Sequence, residues 1–358
     1  MSMKERIKEL RTRLGGKVAV VAHYYENKEI VEAADLVGDS YGLAVKLHNF
    51  DAEHIIFCGV RFMAESAAIL KKENQHIHLP EHSAACDLAK MADAETFVRW
   101  YDSIKGARKP VPIVYVNSSS RLKAEVGKRG GTTCTSSNAF TIMKTIYNNG
   151  ERLCFLPDKN LGLNIAEKVG IPSHQIQFIN ANFGAPGTKA ANFSPAGMEL
   201  FLWNGYCPVH DVMEQEDIRA VRKKHHGAYV AVHPECKPEV VEESDFAGST
   251  SQIRDIVMSL PAGTVCAIGT EWNFVEHMKR DRPDLTVLHL HESSCKDMHK
   301  ITEESVVHNL EAIKAGDASY EVTVDASLAE DAGKALRRMI SYTERGKGEA
   351  SFANSENI

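Results

Sequence analysis

The sequence predicts an α/β fold of three similar αβα units, with parallel sheets arranged about a pseudo-threefold axis and an active site at the centre. Three observations lead there. One strand–helix–strand–helix plan occurs three times in fixed order, and self-similarity of that kind marks a repeated structural unit. Many strands (VAVVAH at 18–23, HIIFCGV at 54–60, PIVYVNS at 112–118, YVAVHP at 229–234, TVCAIGT at 264–270) are nearly continuous apolar runs, which suits parallel strands covered on both faces. Polar residues able to do chemistry gather at the carboxyl ends of these strands, where ligands bind in such sheets.

Residues 1–15 come first and place Ile7, Leu10 and Leu14 on one helical face. No uninterrupted apolar stretch follows their charges, so they read as an amphipathic helix and not a signal peptide. The first copy of the repeat then runs from 18 to 40: a strand, His23 and Tyr25 at its end, a helix, and Gly38-Asp39-Ser40. Residues 228–250 repeat the plan with His233-Pro-Glu235 and Gly248-Ser249-Thr250, and His23 to Ser40 spans the same 17 residues as His233 to Thr250. A looser copy at 112–137 has Tyr115 and Asn117 at the strand end and Thr135-Ser136-Ser137 at the helix start. Each copy continues through a strand bearing a cysteine (Cys58, Cys154, Cys266), a helix, and a last strand that runs out to a second cysteine (Cys86, Cys207, Cys295).

These copies set the expected boundaries. A first repeat with the N-terminal helix occupies 1–90, and a second occupies 91–210 with a Gly/Pro/Asn-rich insertion at 180–206. The third covers 211–315, and 316–358 holds a C-terminal helix over 325–342, capped by Asp325, and a polar tail expected to be disordered after Lys347.

Composition excludes several classes of function. With 358 residues and a net charge of −6, the chain has no basic footprint for nucleic acid. No apolar run approaches the roughly 20 residues needed to cross a bilayer, so no membrane partner and a cytoplasmic location are expected. Eight cysteines without an export signal point to reduced thiols, metal ligands or core residues.

Cys58, Cys154 and Cys266 lie inside apolar strands and read as packing, while Cys134 and Cys236 lie near the proposed site without an equivalent in every repeat. Cys86, Cys207 and Cys295 are different, because internal symmetry can bring them together. Three thiolates can bind zinc, though a structural zinc site wants a fourth ligand. They can also hold an iron–sulfur cluster with one open iron. The Ser and Thr residues at the helix starts are ordinary caps one at a time. Three around one centre would aim N–H groups and hydroxyls at an anion carrying carboxylates or phosphate. His23 and His233 are expected to add charge or donate protons near neutral pH. His291, four residues before Cys295, reads as a supporting donor or core histidine and not a ligand.

Taken together, GDS at 38–40, CGVRFMAESA at 58–67, YVNS at 115–118, CTSSNA at 134–139, PDKNLG at 157–162, GYCPVH at 205–210, HPEC at 233–236, GST at 248–250 and Cys295 resemble the quinolinate synthase family. The resemblance runs from about residue 17 to residue 310, with its motifs in order. It implies three αβα units around a [4Fe–4S] cluster with one open iron acting as Lewis acid, held by Cys86, Cys207 and Cys295. The implied activity is a transferase reaction in NAD biosynthesis. It condenses iminoaspartate with dihydroxyacetone phosphate to quinolinate, phosphate and two waters. His23, Ser40, Ser136, His233 and Thr250 would hold carboxylate or phosphate. Tyr25, Tyr115, Asn117 and Glu235, with His233, would act on the reacting intermediates, and Phe62 and Met63 would line the cavity. The iminoaspartate would come from solution or by handover from an aspartate oxidase or dehydrogenase. Another iron–sulfur hydro-lyase acting on a small polyanion, and a non-catalytic cluster-dependent ligand sensor, are the competing readings.

Overall fold

The computed structural model describes residues 3–47, 50–105, 108–180, 182–183 and 196–355. Its strands form three parallel sheets. The first contains β1 (Val18–His23), β2 (Leu36–Gly38), β3 (His54–Cys58) and β4 (His76–His78) in the order β2-β1-β3-β4. The second contains β5 (Val111–Tyr115), β6 (Thr132–Cys134), β7 (Leu153–Leu156), β8 (Ile176–Ile179) and β9 (Leu200–Trp203) in the order β6-β5-β7-β9-β8. The third contains β10 (Tyr229–Val232), β11 (Phe246–Ala247), β12 (Val265–Gly269) and β13 (Thr286–His289) in the order β11-β10-β12-β13.

The same order thus appears three times, as expected of three similar αβα units. In each sheet the second strand lies on one side of the first and the third strand on the other. The chain therefore reverses its direction across the sheet between them, creating a switch point where the carboxyl ends open a crevice. The apolar runs account for the burial: every residue of β1, β7 and β9 is buried.

The repeat also locates the departure in the second copy. β9 stands where β4 and β13 stand, so the apolar run LFLW inside the expected insertion is the repeat's own fourth strand. The additional strand is β8, which begins before residue 180 and adds one parallel edge strand beyond β9. Residues 181 and 184–195 of the expected insertion lie outside the described residues.

The chain divides into two compact units, Met1–Cys86 with Pro208–Val324, and Asp87–Cys207 with Asp325–Ile358. The first unit holds the first and third sheets. Its N-terminal helix, Met3–Leu14, buries Ile7 and Leu10 and packs against the helix Glu303–Ala315. The second unit holds the second sheet over a core that includes Phe97, Trp100, Phe201 and Trp203. The helix Ala326–Ser355 lies along the helix Ser120–Lys128 in this unit. A Cβ on Gly127 would sit 2.0 Å from the Asp331 carbonyl oxygen, so only glycine permits that approach. Asp325 caps the long helix by accepting from the amides of Ser327 and Leu328, and the last three residues of the expected tail lie outside the described residues. Among the described residues no helix is long and apolar enough to cross a membrane.

Candidate functional site

In the first unit the carboxyl ends of β1 and β10 carry the same local device. His23 Nδ1 accepts the backbone N–H of Tyr25 at 3.2 Å, and His233 Nδ1 accepts that of Glu235 at 3.3 Å. Each contact uses the Nδ1 lone pair, so the proton of the neutral ring sits on Nε2 and that nitrogen is a donor. Burial lowers His23 to about 4 and His233 to about 3. Both are therefore neutral Nε2–H donors near pH 7, the donor role of the two that the sequence offers and not the charged one. Desolvation penalises the imidazolium more than the nearby carboxylates favour it.

Around these histidines the unit builds one buried chain of hydrogen bonds. Glu235 Oε2 lies 3.0 Å from His210 Nδ1, and His210 Nε2 lies 3.1 Å from Thr270 Oγ1. Thr270 Oγ1 is 2.8 Å from the Tyr25 hydroxyl, which also accepts from Thr250 Oγ1 at 3.2 Å. With Glu235 as a carboxylate, one polarity satisfies every member. His210 donates from Nδ1, Thr270 donates to His210 Nε2, and Tyr25 donates to Thr270. The His210 ring stacks on His233 with centroids 4.4 Å apart, and His23 meets Tyr25 edge-on at 4.5 Å. His210 and Thr270 received no role from the sequence. His210 lies in the motif GYCPVH and Thr270 directly follows β12.

Ser40 and Thr250 are each the first residue of a helix, and neither is its cap. Asp39 accepts the Gly42 amide, and Ser249 forms a capping box with Gln252. The hydroxyls of Ser40 and Thr250 thus have no capping duty. Phe62 and Met63, early in the helix Arg61–Leu70 that follows β3, are buried.

The second unit places its own candidates at the carboxyl ends of β5 and β6. Tyr115 ends β5, opposite Cys134 in register, and Asn117 follows. Asn117 Oδ1 and Thr135 Oγ1 are buried with no hydrogen-bond partner. Such atoms carry an unmet desolvation cost that a ligand can offset. Ser136 lies in the turn before the helix Ala139–Asn148, whose N-cap is Asn138 and not a serine.

The repeat-terminal cysteines share a structural address. After the third strand of each repeat, the first helical residue donates its amide to the carbonyl two residues before the terminal cysteine. The pairs are Arg61 to Ala84, Lys159 to Gly205 and Trp272 to Ser293, each at 2.8 Å. In two repeats the cap of that same helix also accepts the cysteine's own amide: Asp158 from Cys207 at 3.1 Å, and Glu271 from Cys295 at 3.4 Å. Neither carboxylate was given a role by the sequence, although each stands two residues past the repeat's third strand (PD at 157–158, TE at 270–271).

Exposure separates the eight thiols. Cys86, Cys207 and Cys295 are partly exposed, and the other five are buried. Burial holds the thiols of Cys58, Cys134 and Cys154 well above the usual range and pushes Cys266 to about 12. Cys236 lies in an apolar cluster with Met213 and Val240. Burial also raises Cys295, to about 11, while the amides of Met298 and Asp297 hydrogen-bond its sulfur and oppose that rise. Three partly exposed thiols thus stand at equivalent loop positions, and one of them already receives amide donors. His291 Nδ1 contacts Asp217 at 3.2 Å, where Asp217 serves the capping box of the helix Gln215–Lys224.

The chain matches the family described as quinolinate synthetase A protein over residues 5–341. It is 38% identical over 346 residues to a quinolinate synthase of Herpetosiphon aurantiacus, a match covering 94% of this chain and 92% of the relative. Identity to a quinolinate synthase of Halobacterium salinarum is 39% over 342 residues, covering 94% and 90%. For one of Bacillus cereus it is 38% over 346 residues, covering 95% and 93%. By motif order, repeated architecture and full-length similarity, the chain belongs to the quinolinate synthetase A family.

Proposed function

We propose that the chain catalyses the quinolinate synthase reaction in the cytoplasm, condensing iminoaspartate with dihydroxyacetone phosphate to give quinolinate, phosphate and two waters. The observation that carries the reading is the shared address of Cys86, Cys207 and Cys295, which three unrelated thiols would have no reason to adopt. These three would hold a [4Fe–4S] cluster. When bound, such a cluster supplies a Lewis-acidic iron with one coordination position free of protein ligands.

The chain's own residues then have separable duties. His23 and His233 offer neutral Nε2–H donors, and with Ser40, Ser136 and Thr250 they would hold carboxylate and phosphate oxygens. Holding both substrates in register replaces a bimolecular encounter by a local one. Glu235 is the proposed base. Its carboxylate is held by the His210 Nδ1–H, and Thr270 links that ring to the Tyr25 hydroxyl in the same hydrogen-bonded chain. Tyr25 would act as the matching acid in the dehydrations. Tyr115 and Asn117 would orient the intermediates, the orphaned Asn117 Oδ1 accepting from a substrate N–H or O–H. Phe62 and Met63 would exclude water. Iminoaspartate is the product of a two-electron oxidation of aspartate, so an aspartate-oxidising enzyme would supply it.

The test is anaerobic incubation with both substrates, followed by chromatography for quinolinate and a phosphate assay. Quinolinate and phosphate in equal amounts are expected. Phosphate without quinolinate would favour a different hydro-lyase, and neither product would sink the reading.

A further inference from the structure

Three histidines of the first sheet, distant in role from everything above, share one face. His54 opens β3 and pairs in register with His76, which opens the edge strand β4, and His78 closes that strand. In a strand, residues two apart project to the same side, so the His-Ile-His run presents two imidazoles beside the one from β3. His54 Nδ1 lies 3.0 Å from His78 Nε2, and the ring centroids of His54 and His76 are 5.4 Å apart.

We propose that His54, His76 and His78 form a binding site for one borderline divalent cation, of the class of Zn2+, separate from the cysteine set. Two ligand nitrogens on one tetrahedral ion, each about 2.0–2.1 Å from it, stand about 3.3 Å apart, close to the separation of the His54–His78 pair. Imidazole ligands are typically oriented by a carboxylate on their other nitrogen, and His76 has one. Glu321 Oε1 lies 2.7 Å from His76 Nδ1. This contact directs the His76 Nε2 lone pair away from the carboxylate. His78 Nδ1 is buried without a partner, so the contact with His54 leaves the pair incompletely satisfied.

His76 completes the set by turning about its side-chain bonds, a movement its 42% exposed side chain permits. Glu321 also bridges to His78 through the backbone. An ion here would therefore tie the segment after the helix Glu303–Ala315 to the edge of the first sheet.

The experiment uses anaerobic, cluster-loaded protein titrated with Zn2+ by calorimetry, followed by zinc-edge X-ray absorption. One equivalent is expected, with only nitrogen and oxygen in the first shell. His76→Ala removes a half-exposed ring and should weaken binding at least tenfold with an unchanged circular dichroism spectrum. His54→Gln should do the same, and Cys266→Ala, which keeps the cluster, should leave the affinity alone. Failure to retain zinc, sulfur in the first shell, or equal affinity in folded His76→Ala would overturn the proposal. None of these outcomes touches the quinolinate assay, so the two readings stand or fall separately.

Discussion

The first and third repeats make the same backbone and load it differently. At the ends of β1 and β10 a histidine accepts, through Nδ1, the amide of the residue two positions on. In both, a hydroxyl residue opens the next helix directly after a separate cap, Asp39 for Ser40 and Ser249 for Thr250. The residue two after the histidine differs: Tyr25 in one copy and Glu235 in the other. The two therefore meet at opposite ends of one hydrogen-bond chain through Thr270 and His210. Repetition supplies the position and substitution supplies the chemistry. A symmetric scaffold can present an acid and a base in this way without symmetric reactivity.

The largest expected effect comes from erasing that difference. Glu235→Gln keeps size and shape but removes the base, and should lower the rate of quinolinate formation by about 10²–10⁴. Tyr25→Phe keeps the ring against His23 but removes the proposed acid, and should lower the rate by a comparable factor. Iron content should be unchanged in both. Steady-state kcat, with iron and sulfide analysis, decides it. A Glu235→Gln enzyme turning over like the parent would mean that the carboxylate only positions His210.

The helix-start hydroxyls sharpen the comparison. Each would bond a charged oxygen of substrate, Thr250 by turning its single O–H away from Tyr25, a contribution of about 1.5–3 kcal/mol, or one to two orders of magnitude in binding. Ser40→Ala should therefore raise KM alone. Thr250→Ala should raise KM and also lower kcat, because Thr250 Oγ1 donates to the Tyr25 hydroxyl. Identical kinetic signatures for the two variants would remove the distinction between the repeats at this position.

Stability against pH tests the two histidines. Their folded values, about 4 for His23 and about 3 for His233, lie below the ordinary 6.5. Between 6.5 and those values the unfolded chain binds more protons than the folded one, so stability falls as pH falls through that window and then levels off. Each histidine contributes a slope of at most about 1.4 kcal/mol per pH unit. His233→Gln and His23→Gln should each flatten the curve of urea midpoint against pH below 6.5. An unchanged slope in both would show that other groups govern acid sensitivity.

Much of this was legible beforehand, because the repeats occur in order and the apolar runs leave little choice of strand. The positions of His23, Tyr25, His233, Glu235 and Thr250 followed from that register. What escaped were residues whose partners lie far off in sequence. His210 reaches Glu235 and Thr270 across 25 and 60 residues. Asp158 and Glu271 reach the cysteine amides across 49 and 24. No periodicity carries that information, although an acid two residues past the third strand of two repeats was a usable hint. The sequence leaves the protonation state of His23 and His233 open for a related reason. Charge at neutral pH depends on burial, and a histidine at a strand end reads the same whether it is wet or dry.

The smallest effect concerns the two kinds of cysteine within these same repeats. Cys58 and Cys266 sit on the third strands, β3 and β12, and are fully buried. Cys86 and Cys295 follow later in the same repeats and are partly exposed. A buried thiol whose thiolate is disfavoured by desolvation packs as a small apolar group. Cys58→Ala and Cys266→Ala should therefore cost about 1 kcal/mol of stability through lost contacts and a small cavity, while iron content stays at that of the parent. Cys86→Ser and Cys295→Ser should do the reverse, leaving the denaturation midpoint of the cluster-free chain nearly unchanged while cluster incorporation fails. The informative outcome is the crossing of the two measurements. Loss of iron from Cys58→Ala at unchanged stability would place a ligand on the third strand. The shared address of the terminal cysteines would then reflect chain packing and not metal binding.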